Sequence, residues 1–405
     1  MTLPRIISVD DHVIEPKNLW VDRAPVRYKD SVPHTSMQKA YLKGWGTNWE
    51  FVIDAEHPDA KWADMWEFED SEVFIQKGTV AAGYERSELD GFPVTYEDGM
   101  RRGCYSQKER LEDMDANHTE ASMCFPTIPR FCGQFFLNRK DNDMALECVR
   151  IYNDWMIDEW CGGEARGRLI PLTLVPLWDV DLAVAEIRRC ADKGSHAVAF
   201  TEGPSALGLP SLYTGYWDPF VAACQETDTV INMHIGSSST VARTSPDSPH
   251  LASVTLFFEY GMHAVIDWVM SGTLARFPEQ RIALSEAQAG WIPFILERMD
   301  KAWQRQDPID RLPDVDDLPS TYVKDRVFGC IFDDLHGLQS RDVIGMSQIM
   351  FETDYPHADS TWPHSEATAQ ELIDVAGITE EEARKLLREN AVACYGLDRY
   401  FAIAP

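Results

Sequence analysis

Eight short apolar runs, most of them followed by a segment with helical spacing, constrain this chain more than any other feature. The runs occupy residues 4–9, 121–125, 169–175, 197–200, 230–233, 281–284, 327–332 and 348–351. Helical spacing is expected over residues 107–117, 145–160, 180–193, 219–227, 262–276, 291–304, 365–376 and 380–390. The runs lack strict polar–apolar alternation, which predicts parallel strands buried on both faces. Eight such strand–helix units predict an α/β fold, a closed (β/α)8 TIM-like barrel, with a doubly wound open sheet as the structural runner-up. The 405 residues are read as one domain, 1–405. Residues 17–105 break the alternation: they are rich in Trp, Pro, Gly and acidic residues and carry no helical period. They are expected to be a long irregular insertion after the first strand, serving as a lid or an interface.

Composition narrows the partners. Lys and Arg number 37 against 66 Asp and Glu, a net charge of −29. That balance argues against nucleic acid or an anionic membrane as a partner, since both demand basic surface. The nine cysteines form no CxxC pair, which fits reduced, buried thiols in a cytoplasmic protein. No apolar run approaches the roughly 18–20 residues of a membrane span. The N-terminus shows no signal-peptide pattern. The expected ligand is a small molecule.

The chemistry lies at the strand ends. Asp10 and His12 sit two apart where the first strand closes, so both aim to one side, and Glu15 follows in the turn. His234 ends the run at 230–233, Glu286 follows 281–284, and Asp354 and His357 follow 348–351. In a barrel the strand C-termini converge on one face, where active sites lie. Imidazoles and carboxylates gathered there are the ligand set of a divalent cation. His263 is expected over the barrel mouth, with a helix-cap role as the plain alternative for it and for His357. Arg243 is a candidate for pairing a substrate carboxylate, or else a surface residue. No Walker loop, HExxH or GxSxG motif occurs.

The segments Asp10-Asp11-His12-Val13-Ile14-Glu15-Pro16, Arg281 to Glu286, Gly290-Trp291-Ile292-Pro293 and Glu352-Thr353-Asp354-Tyr355-Pro356-His357 together resemble the amidohydrolase superfamily. The resemblance is to the amidohydrolase 2, or aminocarboxymuconate-semialdehyde-decarboxylase-like, branch. It implies a (β/α)8 barrel with one or two divalent ions (Fe, Mn or Zn). It implies ligands at Asp10, His12, His234 and Asp354, with a second ion drawing on Glu286, Glu15, His263 or His357. Asp10 stands where the family has a first His, and Glu286 where a catalytic His is frequent. Phe200-Thr201-Glu202 occupies the strand end where a bridging lysine would lie, with Glu202 as a carboxylate substitute. Exchanging nitrogen for oxygen donors shifts preference from zinc toward iron or manganese.

Three functions follow. In the first, a metal-dependent hydrolase or non-oxidative decarboxylase acts on a small carboxylate or amide, with Asp354 handling the proton and Glu286 and His263 assisting as catalytic residues. In the second, a dinuclear iron or manganese hydroxylase component activates oxygen alongside a related subunit and an electron donor. In the third, a non-catalytic metal-binding subunit supports a partner. A homo-oligomer, or a hetero-oligomer with a related subunit, is expected.

Overall fold

The structure is a computed structural model that describes residues 2–45, 48–307, 312 and 314–401. Twelve strands run through the described residues: β1 (Ile6–Val13), β2 (His34–Trp45), β3 (Asn48–Ile53), β4 (Lys61–Phe68), β5 (Ser71–Phe74), β6 (Thr119–Pro126), β7 (Leu169–Ile170), β8 (Ala197–Thr201), β9 (Val230–His234), β10 (Ile282–Ser285), β11 (Val327–Ile331) and β12 (Ile349–Phe351). Eight of them, β1 and β6 to β12, pair in parallel as β1-β6-β7 and β8-β9-β10-β11-β12.

Two seams join these arcs into a ring. At one, Thr173 bridges to Val198, donating its N–H to Ala197 at 3.0 Å and accepting that of Ala199 at 2.9 Å. At the other, Asp354 N–H bonds to Asp10 C=O at 3.0 Å and His12 N–H to Tyr355 C=O at 2.6 Å. The protein is therefore an α/β barrel, with a helix at 142–155, 180–192, 218–226, 259–270 and 292–304 between successive strands. Apart from Glu120 in β6, the ring strands are buried along their length, which is why their sequences show no alternation.

Residues 17–105 are more ordered than expected. β2 to β5 form an antiparallel sheet in the order β3-β2-β4-β5. One side faces water, so polar residues interrupt its apolar ones and mask the strands from a search for helical period. Its buried side is anchored by Trp66 of β4, fully buried, whose ring meets Trp20 edge-on at 5.4 Å. Trp66 Nε1 donates to Tyr96 Oη at 3.2 Å, and Tyr96 Oη donates to the Glu15 carbonyl at 2.5 Å. The sheet is thus tied to the end of β1, beside the ligand residues.

Behind β1 lies a buried cation. Arg110, 1 % exposed, donates from Nε to Gly103 C=O at 2.8 Å and from Nη2 to His12 C=O, and it stacks 4.3 Å from the Tyr355 ring. Its Nη1 also donates to Cys124 Sγ at 3.1 Å. Removing the guanidinium leaves these buried acceptors unmet, at a cost of about 1–3 kcal/mol each. Arg110→Ala should therefore lower the unfolding free energy by at least about that amount in urea denaturation. An unchanged midpoint would remove Arg110 from the forces holding β1.

Candidate metal centre

Backbone geometry aims the ligands. Within β1, residues 9 and 10 form a bulge between the pairs Ser8–Ser122 and Asp11–Cys124. Bulges recur beside active sites because they re-aim side chains. Asp10 and His12 turn into the barrel while Asp11 turns outward. Asp11 accepts from Ser8 Oγ at 2.9 Å, Thr353 Oγ1 at 2.6 Å, Tyr355 N–H at 3.0 Å and Ser122 Oγ. The same alternation after β12 sends Glu352 and Asp354 inward and Thr353 out to Asp11. Glu286 and Asp354 both hold left-handed backbone, φ 54° and 53°. Such conformations in non-glycine residues cost energy and cluster at functional sites.

The side chains converge. Asp10, His12, His234 and Glu286 offer ligand atoms all within 4.8 Å of one another, and so do His12, Glu286, Asp354 and His357. Nε2 of His12 lies 3.6 Å from Asp10 Oδ1, 3.5 Å from Glu286 Oε1 and 3.3 Å from Asp354 Oδ1. Nε2 of His234 lies 3.6 Å from Asp10 Oδ2 and 3.1 Å from Glu286 Oε1. A cation with bonds of about 2.0–2.2 Å sets neighbouring ligand atoms about 3.0–3.5 Å apart. The observed spacings fit one.

Unpartnered atoms supply the second fit. Both carboxylate oxygens of Asp10, both ring nitrogens of His12, His234 Nε2, Glu286 Oε1 and Asp354 Oδ1 are buried without a hydrogen-bond partner. A core does not leave so many polar atoms unsatisfied unless something binds them. His234 is oriented for coordination, because its Nδ1 donates to Ile235 C=O at 2.6 Å and leaves the Nε2 lone pair toward the cluster. The site is capable of coordinating one or two divalent ions.

Charge agrees. Burial first, then Glu352, Glu286 and Asp354, push Asp10 well above the usual carboxylate range. Burial and the neighbouring His357 hold His12 well below its ordinary value, which keeps its imidazole neutral as a metal ligand requires. Burial would raise Glu286, but His234, His12 and His357 outweigh it and hold it well below the carboxylate range. Burial would lower His357, but Asp354, at 2.9 Å, and Glu286, at 3.5 Å, lift it to about 10.

Several expected residues stand elsewhere. Glu15 lies outside both groups: its carboxylate accepts the N–H of Thr127 at 3.2 Å and of Ile128 at 2.9 Å. His263 is exposed on the helix Glu259–Met270, beside Asp267, and not among the ligands. Arg243 is exposed too. Glu202 is buried but spent on Gly236 N–H, at 3.0 Å, and Ser237 Oγ, so it substitutes for no bridging lysine. Two residues escaped the sequence reading. Glu352, fully buried, accepts the Glu286 N–H at 3.1 Å, and its alternation with Asp354 was the available signal. Phe131 stacks on the His234 ring at 3.9 Å, for which no sequence signal exists.

Residues 92–397 match the amidohydrolase family, 306 of the 405 positions. The chain belongs to that family. The amidohydrolase match begins after the insertion sheet, so Asp10 and His12 join the site by structure and not by that match. Gamma-resorcylate decarboxylase of Rhodococcus jostii (strain RHA1) is 26% identical over 331 residues, covering 76% of this chain and 93% of that protein. Among solved structures, an amidohydrolase from Mycobacterium avium subsp. paratuberculosis superposes with a TM-score of 0.68 at 20% identity, over 98% of this chain and 100% of the other. Dihydroxybenzoic acid decarboxylase from Polaromonas sp. JS666, with bound manganese and the inhibitor 2-nitroresorcinol, gives 0.57 at 18%, over 76% and 92%. The protein is an enzyme of the amidohydrolase fold with a candidate metal-binding active site. No helix among the described residues is long and apolar enough to cross a membrane.

Two measurements check this site. Chelation should lower the thermal midpoint, and returning Mn2+ at a hundred times its dissociation constant should restore about 2.7 kcal/mol. Elemental analysis should find metal lost in His12→Ala and His234→Ala but retained in Glu15→Gln. Retention in the two His variants would contradict the assignment. Burial lifts Glu15 to about 8 from an ordinary 4.5, so folding favours its neutral form. That contribution is complete below 4.5 and is lost as pH rises toward 8. Glu15→Gln should flatten the stability–pH curve across that window.

Proposed function

We propose that this amidohydrolase is a metal-dependent, non-oxidative decarboxylase of a small hydroxylated aromatic acid. The observation that carries the reading is the buried cluster of unpartnered ligand atoms on Asp10, His12, His234, Glu286 and Asp354. The names of the Rhodococcus and Polaromonas proteins support the substrate class, and the latter's manganese supports the type of ion. A divalent ion here would supply the positive anchor for the substrate's carboxylate, an anchor that the acidic surface lacks.

The chain's own residues do the rest. Asp10, His12, His234 and Glu286 would hold the ion, with Glu286 a ligand since three imidazoles surround its Oε1. His357 holds the proton at Nδ1, 2.9 Å from Asp354 Oδ1, and Asp354 relays it toward the substrate. Transfer of that proton to the ring carbon bearing the carboxylate uses a ring electron pair. Cleavage of the carbon–carbon bond then returns a pair to the ring and releases CO2. One proton is consumed per CO2 and no oxidant is needed. Phe125 and Phe131, both against His234, keep the aromatic ring's surroundings apolar and exclude water.

A second reading, an oxygen-activating dinuclear centre, is favoured by one feature: the ligands fall into two overlapping sets that share His12 and Glu286. It would require an electron donor and a related subunit. The nine cysteines, all free and buried, support a reducing, cytoplasmic setting for either. We further infer one barrel domain over 1–405, with 17–105 an elaboration that serves as a lid or an interface.

Manganese-loaded protein should release CO2 from 2,6-dihydroxybenzoate without oxygen, and in D2O the product should carry deuterium at the vacated carbon. Asp354→Asn should lower kcat by at least about 100-fold with metal content retained. No CO2 from any hydroxybenzoate would sink the decarboxylase reading. Turnover only with oxygen and a reductant would move the assignment to the second.

A further inference from the structure

Glu15 has no place among the ligands, yet a carboxyl is a costly group to bury. It is fully buried and follows His12 closely in the chain. Its backbone carbonyl takes the Tyr96 hydroxyl, and its carboxyl takes the first two amides of the loop after β6, those of Thr127 and Ile128. One residue thus joins the end of β1, the insertion sheet and the loop 127–133.

That loop needs holding. It reverses twice, through Arg130 N–H to Thr127 C=O at 3.1 Å and Gly133 N–H to Arg130 C=O at 3.2 Å. Arg130 holds left-handed backbone at φ 64°, which costs energy in a residue with a side chain. At the far end, Gln134 Oε1 accepts the Cys132 N–H at 2.9 Å. Glu15 supplies the acceptors at the near end.

Phe131 stands between the two fastenings. Its ring lies on that of His234, with centroids 3.9 Å apart and planes 14° apart, and its centroid is 5.6 Å from that of His12. Phe131 is half-buried, whereas His12 and His234 are 0% and 1% exposed. The phenyl ring therefore lies between the ligand imidazoles and solvent. An apolar cover of this kind limits the access of water to the ligands, and so how readily an ion leaves.

We propose that Glu15 is a positioning residue of the metal centre: it fixes the loop 127–133 so that Phe131 caps His234 and closes the centre to water. Glu15 acts through Phe131 and not on the ion. The inference rests on the metal centre and not on decarboxylation.

Release of Mn2+ from the loaded, full-length protein into excess chelator tests it. Phe131→Leu and Glu15→Leu should each release the ion about tenfold faster or more. The double variant should stay within about twofold of the faster single one, because both changes remove the same cap. Glutamine is the neutral counterpart of a carboxyl lifted to about 8, and its carbonyl can still accept the Ile128 N–H. Glu15→Gln should therefore remain within about threefold of the parent. Parental release in either leucine variant would overturn the proposal, and so would losses that multiply to about a hundredfold in the double variant. A Glu15→Leu chain that does not fold would assign Glu15 to the scaffold and overturn it too. A parent that holds no Mn2+ would remove the metal centre and this inference together, whereas Mn2+ held without release of CO2 would sink the decarboxylase reading alone.

Discussion

The carboxylate of Asp11 is the constraint on which the rest of the structure depends. It receives hydrogen bonds from Ser8 in β1, Ser122 in β6, and Thr353 and Tyr355 after β12. One side chain therefore spans three neighbouring strands where the ring closes. Arg110 offsets its charge from outside the ring and holds the carbonyl of His12. A buried charge without these partners would be costly. With them, β1 is pinned on its outer side, and Asp10 and His12 are left to face inward with nothing else to bind.

The inner side shows the opposite condition. Its polar atoms are unsatisfied, and two of its carboxylates sit on left-handed backbone. Glu352 maintains one of these conformations by accepting the N–H of Glu286. The contrast between a saturated outer network and an unsaturated inner one separates scaffold from site. Rigid support of this kind keeps like charges close enough to share a cation, where free side chains would move apart.

Much of this was legible in the sequence because it depends on period and order. Each ring strand carried an apolar run, and the alternation of Asp10 with His12 sent both to one side. The ends of β9, β10 and β12 carried His234, Glu286 and Asp354 in order. What escaped depended on contacts between distant segments. Glu15 has the chemistry of a ligand, yet two backbone amides at Thr127 and Ile128 reach it first. His263 falls on a helix whose rotation places it outward. The antiparallel sheet of β2 to β5 escaped because a half-exposed sheet carries mixed polarity. Arg110 and Phe131 gave no local hint of their roles, since each acts on a residue about 100 positions away in the chain.

The Ile14 N–H bonds to the Cys104 carbonyl at 2.8 Å, so the sheet-bearing segment leaves and re-enters the ring at one point. Its two ends are fastened together whatever lies between them. Extra length in such a loop adds only slowly to the entropy of closure. This part of the chain is therefore free to grow, shrink or change its outer surface over evolutionary time while the neighbouring ligands keep their positions.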